Sequence, residues 1–273
     1  MSKPMPTLHF TKMNGSGNDF VILDNRDLRH SLDKGAIARL CDRHRGIGAD
    51  GLIAVEPARN GADFRMRYYN ADGGEAEMCG NGARCFARFA SRLAEKKNAI
   101  SFETPAGTIG ARMLGDNVQI VMSTPHSLSI GTELMAGDTK LTVHSINTGV
   151  PHAVVFVGDP TRTDILKLGA ALRYHPHFAP AGTNANFAAK LPGGGIALRT
   201  YERGVENETL ACGTGVTAAA LIFSRLTGAP SPVSVRVRGG DALEVGFESD
   251  DDGWKNVTLT GPADFVFEGN VPL

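Results

Sequence analysis

The chain has 273 residues, 42% of them hydrophobic and 21% charged, and its 28 basic and 29 acidic residues leave a net charge of -1. That is enough apolar chain for one large core or two modest ones, and the dispersed charge offers no basic footprint for nucleic acid or anionic lipid. No signal-peptide-like apolar stretch opens the sequence, and no window approaches the ~20 apolar residues of a membrane-spanning helix, so a soluble, cytoplasmic protein with a small polar partner is expected. In that compartment Cys41, Cys79, Cys85 and Cys212 read as thiols rather than disulfides.

In chain order, FVILDN (20–25) reads as a strand and LDKGAIARLCDRH (32–44) as an amphipathic helix with Cys41 on its apolar side. DFRMRYYN (63–70) is a second strand. Cys79-Gly-Asn-Gly then opens a helix of about four turns, whose apolar face carries Cys85, Phe86, Phe89, Ala90 and Leu93. NVQIVMS (117–123), HAVVFVG (152–158) and IALRTYE (196–202) read as further strands, with His175 and His177 in a loop. Cys212-Gly-Thr-Gly opens a second helix, apolar nearly all round through VTAAALIF. A helix with so little polar surface must be wrapped by sheet. SDDDG (249–253) reads as a solvated hairpin turn, and NVTLTG (256–261) as another strand.

The chain is written twice. MCGNGARCFARFASRL (78–93) aligns on ACGTGVTAAALIFSRL (211–226), RMRYYN (65–70) on ALRTYE (197–202), and NGSGNDFVIL (14–23) on INTGVPHAVV (146–155), at an offset of 132 or 133 throughout. A period this long denotes two similar halves rather than a solenoid. The predicted architecture is α+β: two pseudo-symmetric halves, each a mostly antiparallel sheet or barrel wrapped around a central helix, with the active site in the cleft between them.

Both halves put a cysteine where a loop becomes a helix. The unpaired N–H groups and partial positive charge of that end favour a thiolate; about 1–2 kcal/mol of such stabilisation brings a thiol from ~8.5 towards ~7. Two thiolates in one dry site would repel, so one thiolate and one thiol is the stable pairing. That pairing suits removal of a proton from one face of a carbon and delivery of another to the opposite face. The amides of Gly80, Asn81, Gly213 and Thr214 are aimed to hold the carboxylate on which charge develops.

The stretches KMNGSGNDF (12–20), GIGADG (46–51), YNADGGEAEMCGNGARC (69–85), NTGVPH (147–152), GTNANF (182–187) and YERGVENETLACGTG (201–215) together resemble the motif set of the diaminopimelate epimerases. The resemblance implies interconversion of LL- and meso-2,6-diaminopimelate without pyridoxal phosphate or metal, in lysine and peptidoglycan biosynthesis, by a homodimer. It implies Cys79 and Cys212 as base and acid, and Asn18, Asn70, Asn184, Glu202 and Arg203 as substrate ligands. It further implies the amides at Gly80, Asn81, Gly213 and Thr214 as the carboxylate cradle, and His152 and Glu202 as residues tuning the thiols. An Arg203 fork and amide side chains suit the second amino-acid head of such a substrate.

Family members often carry Gln at the position of Gly51 and Asn at that of Val150, and the loop from Arg203 to Cys212 is one residue longer than in many. The halves are set at 1–124 with 262–273, and 125–261. A related two-cysteine racemase of the proline or hydroxyproline type is the alternative; it would not need Arg203 and Asn184. A binding module without chemistry would leave Cα hydrogen unexchanged.

Overall fold

Each of the two helices opened by Cys-Gly-X-Gly has a sheet folded round it. The structure is a computed structural model and describes residues 7–31, 33–94, 98–250 and 253–272. The chain divides into two units, Met1–Ile120 with Pro262–Leu273, and Val121–Gly261.

The first unit contains β1 (Thr7–Gly15), β2 (Asn18–Asp24), α1 (Lys34–Cys41), β3 (Gly51–Glu56), β4 (Phe64–Asn70), β5 (Glu75–Ala76), α2 (Gly80–Leu93), β6 (Ala99–Thr104), β7 (Gly107–Leu114) and β8 (Asn117–Val121). The second repeats this order after one leading strand, β9 (His126–Ala136). It continues with β10 (Thr139–Asn147), β11 (Pro151–Phe156), α3 (Ile165–Arg173), β12 (Asn184–Lys190), β13 (Ile196–Glu202), β14 (Asn207–Thr209), α4 (Gly213–Thr227), β15 (Val233–Arg236), β16 (Ala242–Asp250) and β17 (Gly253–Pro262). A final strand, β18 (Asp264–Pro272), pairs antiparallel with β1 as β9 does with β10.

The pairings repeat as well. In the first unit β2 lies parallel to β3 and β4 parallel to β6, each crossing over through a helix; in the second, β11 lies parallel to β12 and β13 to β15. The other pairings within each unit run antiparallel. The pseudo-symmetric α+β reading is therefore borne out, with open sheets in place of barrels, since no pairing joins β18 to β8 among the described residues.

Helix α2 packs against β1, β2, β3, β4, β6 and β7, and α4 against β10, β11, β12, β13, β15 and β16, the same set one copy on. Phe86 of α2 and Phe102 of β6 are fully buried with ring centroids 4.6 Å apart; burying such a ring contributes about 2–3 kcal/mol. The opposite faces are covered by α1, whose Ile37, Leu40 and Cys41 join Leu8, Val21, Leu23 and Leu52, and by α3, whose Ile165 and Leu172 join Val155, Phe187 and Tyr201. Covered on both sides, β3 is buried at every position and β12 at all but its last, which is why both read as unbroken apolar runs.

Two local findings refine the predicted elements. Helix α1 runs from the Asp33 cap to Cys41 and stops short of 44, because Asp42 turns extended and its carboxylate accepts the amides of His44 and Arg45, an Asx-type turn that competes with the helix; position 32 lies outside the described residues. The tip of the acidic run, 251–252, also lies outside them. One turn differs in length between the two copies. Gly15 pairs with Asn18 across Ser16 and Gly17, both at positive φ, as a two-residue hairpin requires, whereas Asn147 pairs with Pro151 across Thr148, Gly149 and Val150.

Candidate active site

Within the first unit, the starts of β2 and β3 and the end of β4 are in register: Phe20 pairs with Gly51, and Gly51 with Asn70. Asn18 and Asn70 therefore sit on one edge of the sheet. Cys79 is the N-cap of α2, extended at φ -137 and ψ 120, with its Sγ 3.5 Å from the amide of Gly82, which donates to it. The first intrahelical bond is Ala83 N–H to the Cys79 carbonyl at 2.7 Å, so the amides of Gly80 and Asn81 precede the ladder.

A line of polar side chains runs from this helix to the sheet. The wholly buried Arg84 donates through Nη2 to Ser16 Oγ at 2.8 Å and to Asn81 Oδ1 at 3.0 Å. Asn81 Nδ2 donates to Asn18 Oδ1 at 2.6 Å, and Asn18 Nδ2 to Asp50 Oδ2 at 2.9 Å. Each amide is thus oriented by a group that can only donate or only accept. Asp50 belongs to a charged cluster in which Arg43 reaches Asp19 at 2.7 Å and Asp50 at 2.8 Å, Lys12 lies 2.8 Å from Asp19, and Lys12 Nζ also donates to the Gly48 carbonyl.

Burial pushes the Asp19 carboxyl up, but Arg43 and Lys12 more than offset it and hold it at about 2, below the ordinary 3.8. Asp19 therefore binds its proton less readily folded than unfolded. Its contribution, about 2 kcal/mol, is complete above roughly pH 4 and is lost as the pH falls through about 2. Asp19→Asn is expected to flatten acid unfolding in this window; a variant titrating like the parent would refute it.

Within the second unit the same edge carries the start of β11, the start of β12 and the end of β13, where His152 pairs with Asn184 and Ala185 with Tyr201. Cys212 is the buried N-cap of α4, with its Sγ 3.5 Å from Thr214 Oγ1. Val216 N–H closes the first turn on the Cys212 carbonyl at 2.8 Å, and Thr148 donates to the Thr214 carbonyl at 2.9 Å. Asn184 donates to the Pro151 carbonyl at 3.0 Å and accepts the Arg203 amide at 2.9 Å, while Arg203 Nη1 donates to the Ala181 carbonyl at 3.0 Å. Burial raises the Glu202 carboxyl above its usual range. Burial, followed by the charge of Arg203, lowers His152 to about 3 and keeps its ring neutral.

The structure thus gathers Asn18, Gly80 and Asn81 about Cys79, and Asn184, Glu202 and Arg203 on the sheet edge of the unit holding Cys212. Asn70 lies exposed at its strand end, tied to Gly73 and Gly74 by backbone bonds. At Gly51 a Cβ would lie 2.5 Å from the Tyr69 carbonyl and 2.7 Å from the Tyr68 ring. Tyr68 therefore fills the space that a longer residue would need. Val150 closes the three-residue turn described above. The long loop after Arg203 is pinned: Glu206, at φ 55, accepts Gly204 N–H and Arg173 Nε, each at 3.0 Å.

Asp19, Asp50, Arg84, Asn186 and Thr200 were not singled out in the sequence. For Asn186 a signal existed, since it stands two residues from Asn184 on one strand and so on the same face. Cys41 and Cys85 are buried in the core, and burial raises their thiols to about 11 and about 12. Brief iodoacetamide treatment of the folded protein at pH 8 is expected to leave both unmodified and to label Cys79, which is half-buried. Mass spectrometry finding Cys85 labelled first would contradict this.

The duplicated fold, with a central helix in each copy, defines a class of two-unit α+β proteins that recurs among solved structures. A hydroxyproline epimerase from Agrobacterium vitis matches at a TM-score of 0.70 with 17% identity, over 98% of this chain and 93% of that one. A phenazine biosynthesis protein of Bacillus anthracis matches at 0.71 with 15% identity, over 98% and 100%. At such identities the likeness is one of fold. Sequence is more specific: the family model described as Diaminopimelate epimerase matches residues 10–128 and 144–266. Proteins named diaminopimelate epimerase from Hydrogenobaculum sp. (strain Y04AAS1) and Aquifex aeolicus (strain VF5) are 44% and 43% identical, over 95% and 97% of this chain and 96% and 98% of theirs. The chain belongs to the diaminopimelate epimerase family.

Proposed function

We propose that this protein interconverts LL- and meso-2,6-diaminopimelate by two-base proton transfer between Cys79 and Cys212. The observation that carries the reading is that each unit caps its central helix with a cysteine, at equivalent positions of a duplicated fold. One thiolate takes the Cα hydrogen as a proton and the electron pair passes toward the carboxylate. The other thiol then delivers its proton to the opposite face, so the two sulfurs end with their protonation states exchanged. The amides of Gly80, Asn81, Gly213 and Thr214 stabilise the charge that develops on the carboxylate.

Asn18, Asn70, Asn184, Glu202 and Arg203 hold the substrate's amino-acid heads in this reading, and His152 and Glu202 tune the thiols. The resemblance adds a homodimer in the cytoplasm, with no resident cofactor and no nucleic-acid partner. Incubation with LL-diaminopimelate in deuterated water tests the reading: meso product carrying deuterium at one Cα is expected, and absence of both exchange and product would end it.

A further inference from the structure

His152 and Asn186 lie on the neighbouring strands β11 and β12, both buried, at 1% and 0% exposure. Their hydrogen bonds leave one arrangement of atoms. Asn186 Nδ2 is 3.0 Å from the Ala153 carbonyl and 3.4 Å from the Asn184 carbonyl, both of which can only accept, while Asn186 Oδ1 takes the Thr200 hydroxyl at 2.9 Å. The NH2 group therefore faces His152, whose Nδ1 lies 3.1 Å from it. An amide nitrogen accepts no hydrogen bond, so Nδ1 must offer its lone pair. A neutral imidazole with a bare Nδ1 carries its hydrogen on Nε2.

That Nε2 is buried with no hydrogen-bond partner among the described residues. Such a donor is costly to retain unless an acceptor arrives. The ring packs against the first turn of α4: a Cβ at Gly215 would stand 3.4 Å from His152 Cε1 and 2.4 Å from Asn186 Oδ1. Gly215, the second glycine of Cys-Gly-Thr-Gly, is thus what lets the pair sit beside a helix terminus that attracts anions.

We propose that Asn186 is a positioning residue that locks His152 with its hydrogen on Nε2, making the ring a fixed, uncharged donor to an anionic acceptor, thiolate or carboxylate, at the start of α4. This rests on the epimerase reading for the acceptor but not for the tautomer. A ring held neutral can stabilise an anion without surrendering a proton to it, so it does not compete with the thiols as an acid.

The test reads the tautomer directly. Long-range ¹H–¹⁵N correlation on the resting protein, labelled at the histidine ring nitrogens, is expected to show an unprotonated Nδ1 and a protonated Nε2 for His152. The reverse pattern, or a mixture of the two, overturns the proposal. In Asn186→Asp the carboxylate accepts from Nδ1, so the hydrogen should move there and epimerisation should fall about 100-fold. The fall appears in kcat if the acceptor is a thiolate and in KM if it is the substrate carboxylate. A variant with the switched tautomer and the parent's rate overturns the role. If Asn186→Asp does not fold, the parent's spectrum decides alone. A parent with the assigned tautomer but no turnover of diaminopimelate refutes the functional reading and leaves the role of Asn186 standing.

Discussion

Replacing Cys79 or Cys212 with serine is expected to reduce epimerisation at least about 1,000-fold. An alcohol is far too weak an acid to be ionised at neutral pH, so neither the base nor its conjugate survives the change. The substitution is chemically severe and structurally mild. Both cysteines are N-caps, and serine is among the preferred residues at that position, where a hydroxyl can accept the Gly82 amide that Cys79 Sγ now accepts. The helices should form as before. Steady-state rates in both directions, read beside melting curves, separate the two effects: full rate in either variant would remove the two-base assignment, and unchanged melting with lost rate would uphold it.

Arg84→Ala is expected to lower the stability of the first unit by about 3–5 kcal/mol. The guanidinium is wholly buried and donates to Ser16 Oγ, Asn81 Oδ1 and the carbonyls of Gly80 and Pro262. Truncation leaves these acceptors in the interior and opens a cavity beside them. A thermal midpoint lower by roughly 10 °C should report the loss. Arg84→Lys should recover little of it, because one ammonium cannot span acceptors fixed around a planar fork. The chemistry should suffer as well, since Asn81 takes its orientation from Arg84 and passes it to Asn18. A variant melting within a degree or two of the parent would refute the account.

The parts of the fold that were legible in the sequence are those with local signals. Cys-Gly-X-Gly followed by an apolar run marks a helix start, and FVILDN or IALRTYE bounded by turn residues marks a strand. Repetition of those signals exposed the two halves. Helix α3 has no comparable signature: it spans nine residues and carries Gly169, where a Cβ would stand 2.5 Å from Tyr201 Cβ. It forms because it packs on β12 and β13, not because its own sequence insists on it. The charged cluster was hidden for a different reason. Asp19 and Asp50 meet because β2 and β3 run parallel, so residues 31 apart become neighbours, and nothing within a window of either aspartate announces the other. The candidate site divides in the same way, with capping cysteines readable in place and the side chains that orient Asn18 and His152 visible only after the sheet has formed.

The strand exchange between the two copies bears on how the molecule is made. Strand β9 follows the first copy yet edges the second, and β18 follows the second copy yet edges the first. On the ribosome the second unit can be completed as it emerges, whereas β1 must keep an unpaired border until the whole of the other unit has been translated. The half that is synthesised first is therefore the half that is finished last, and its exposed border is where nascent chains are open to misassociation or to a chaperone.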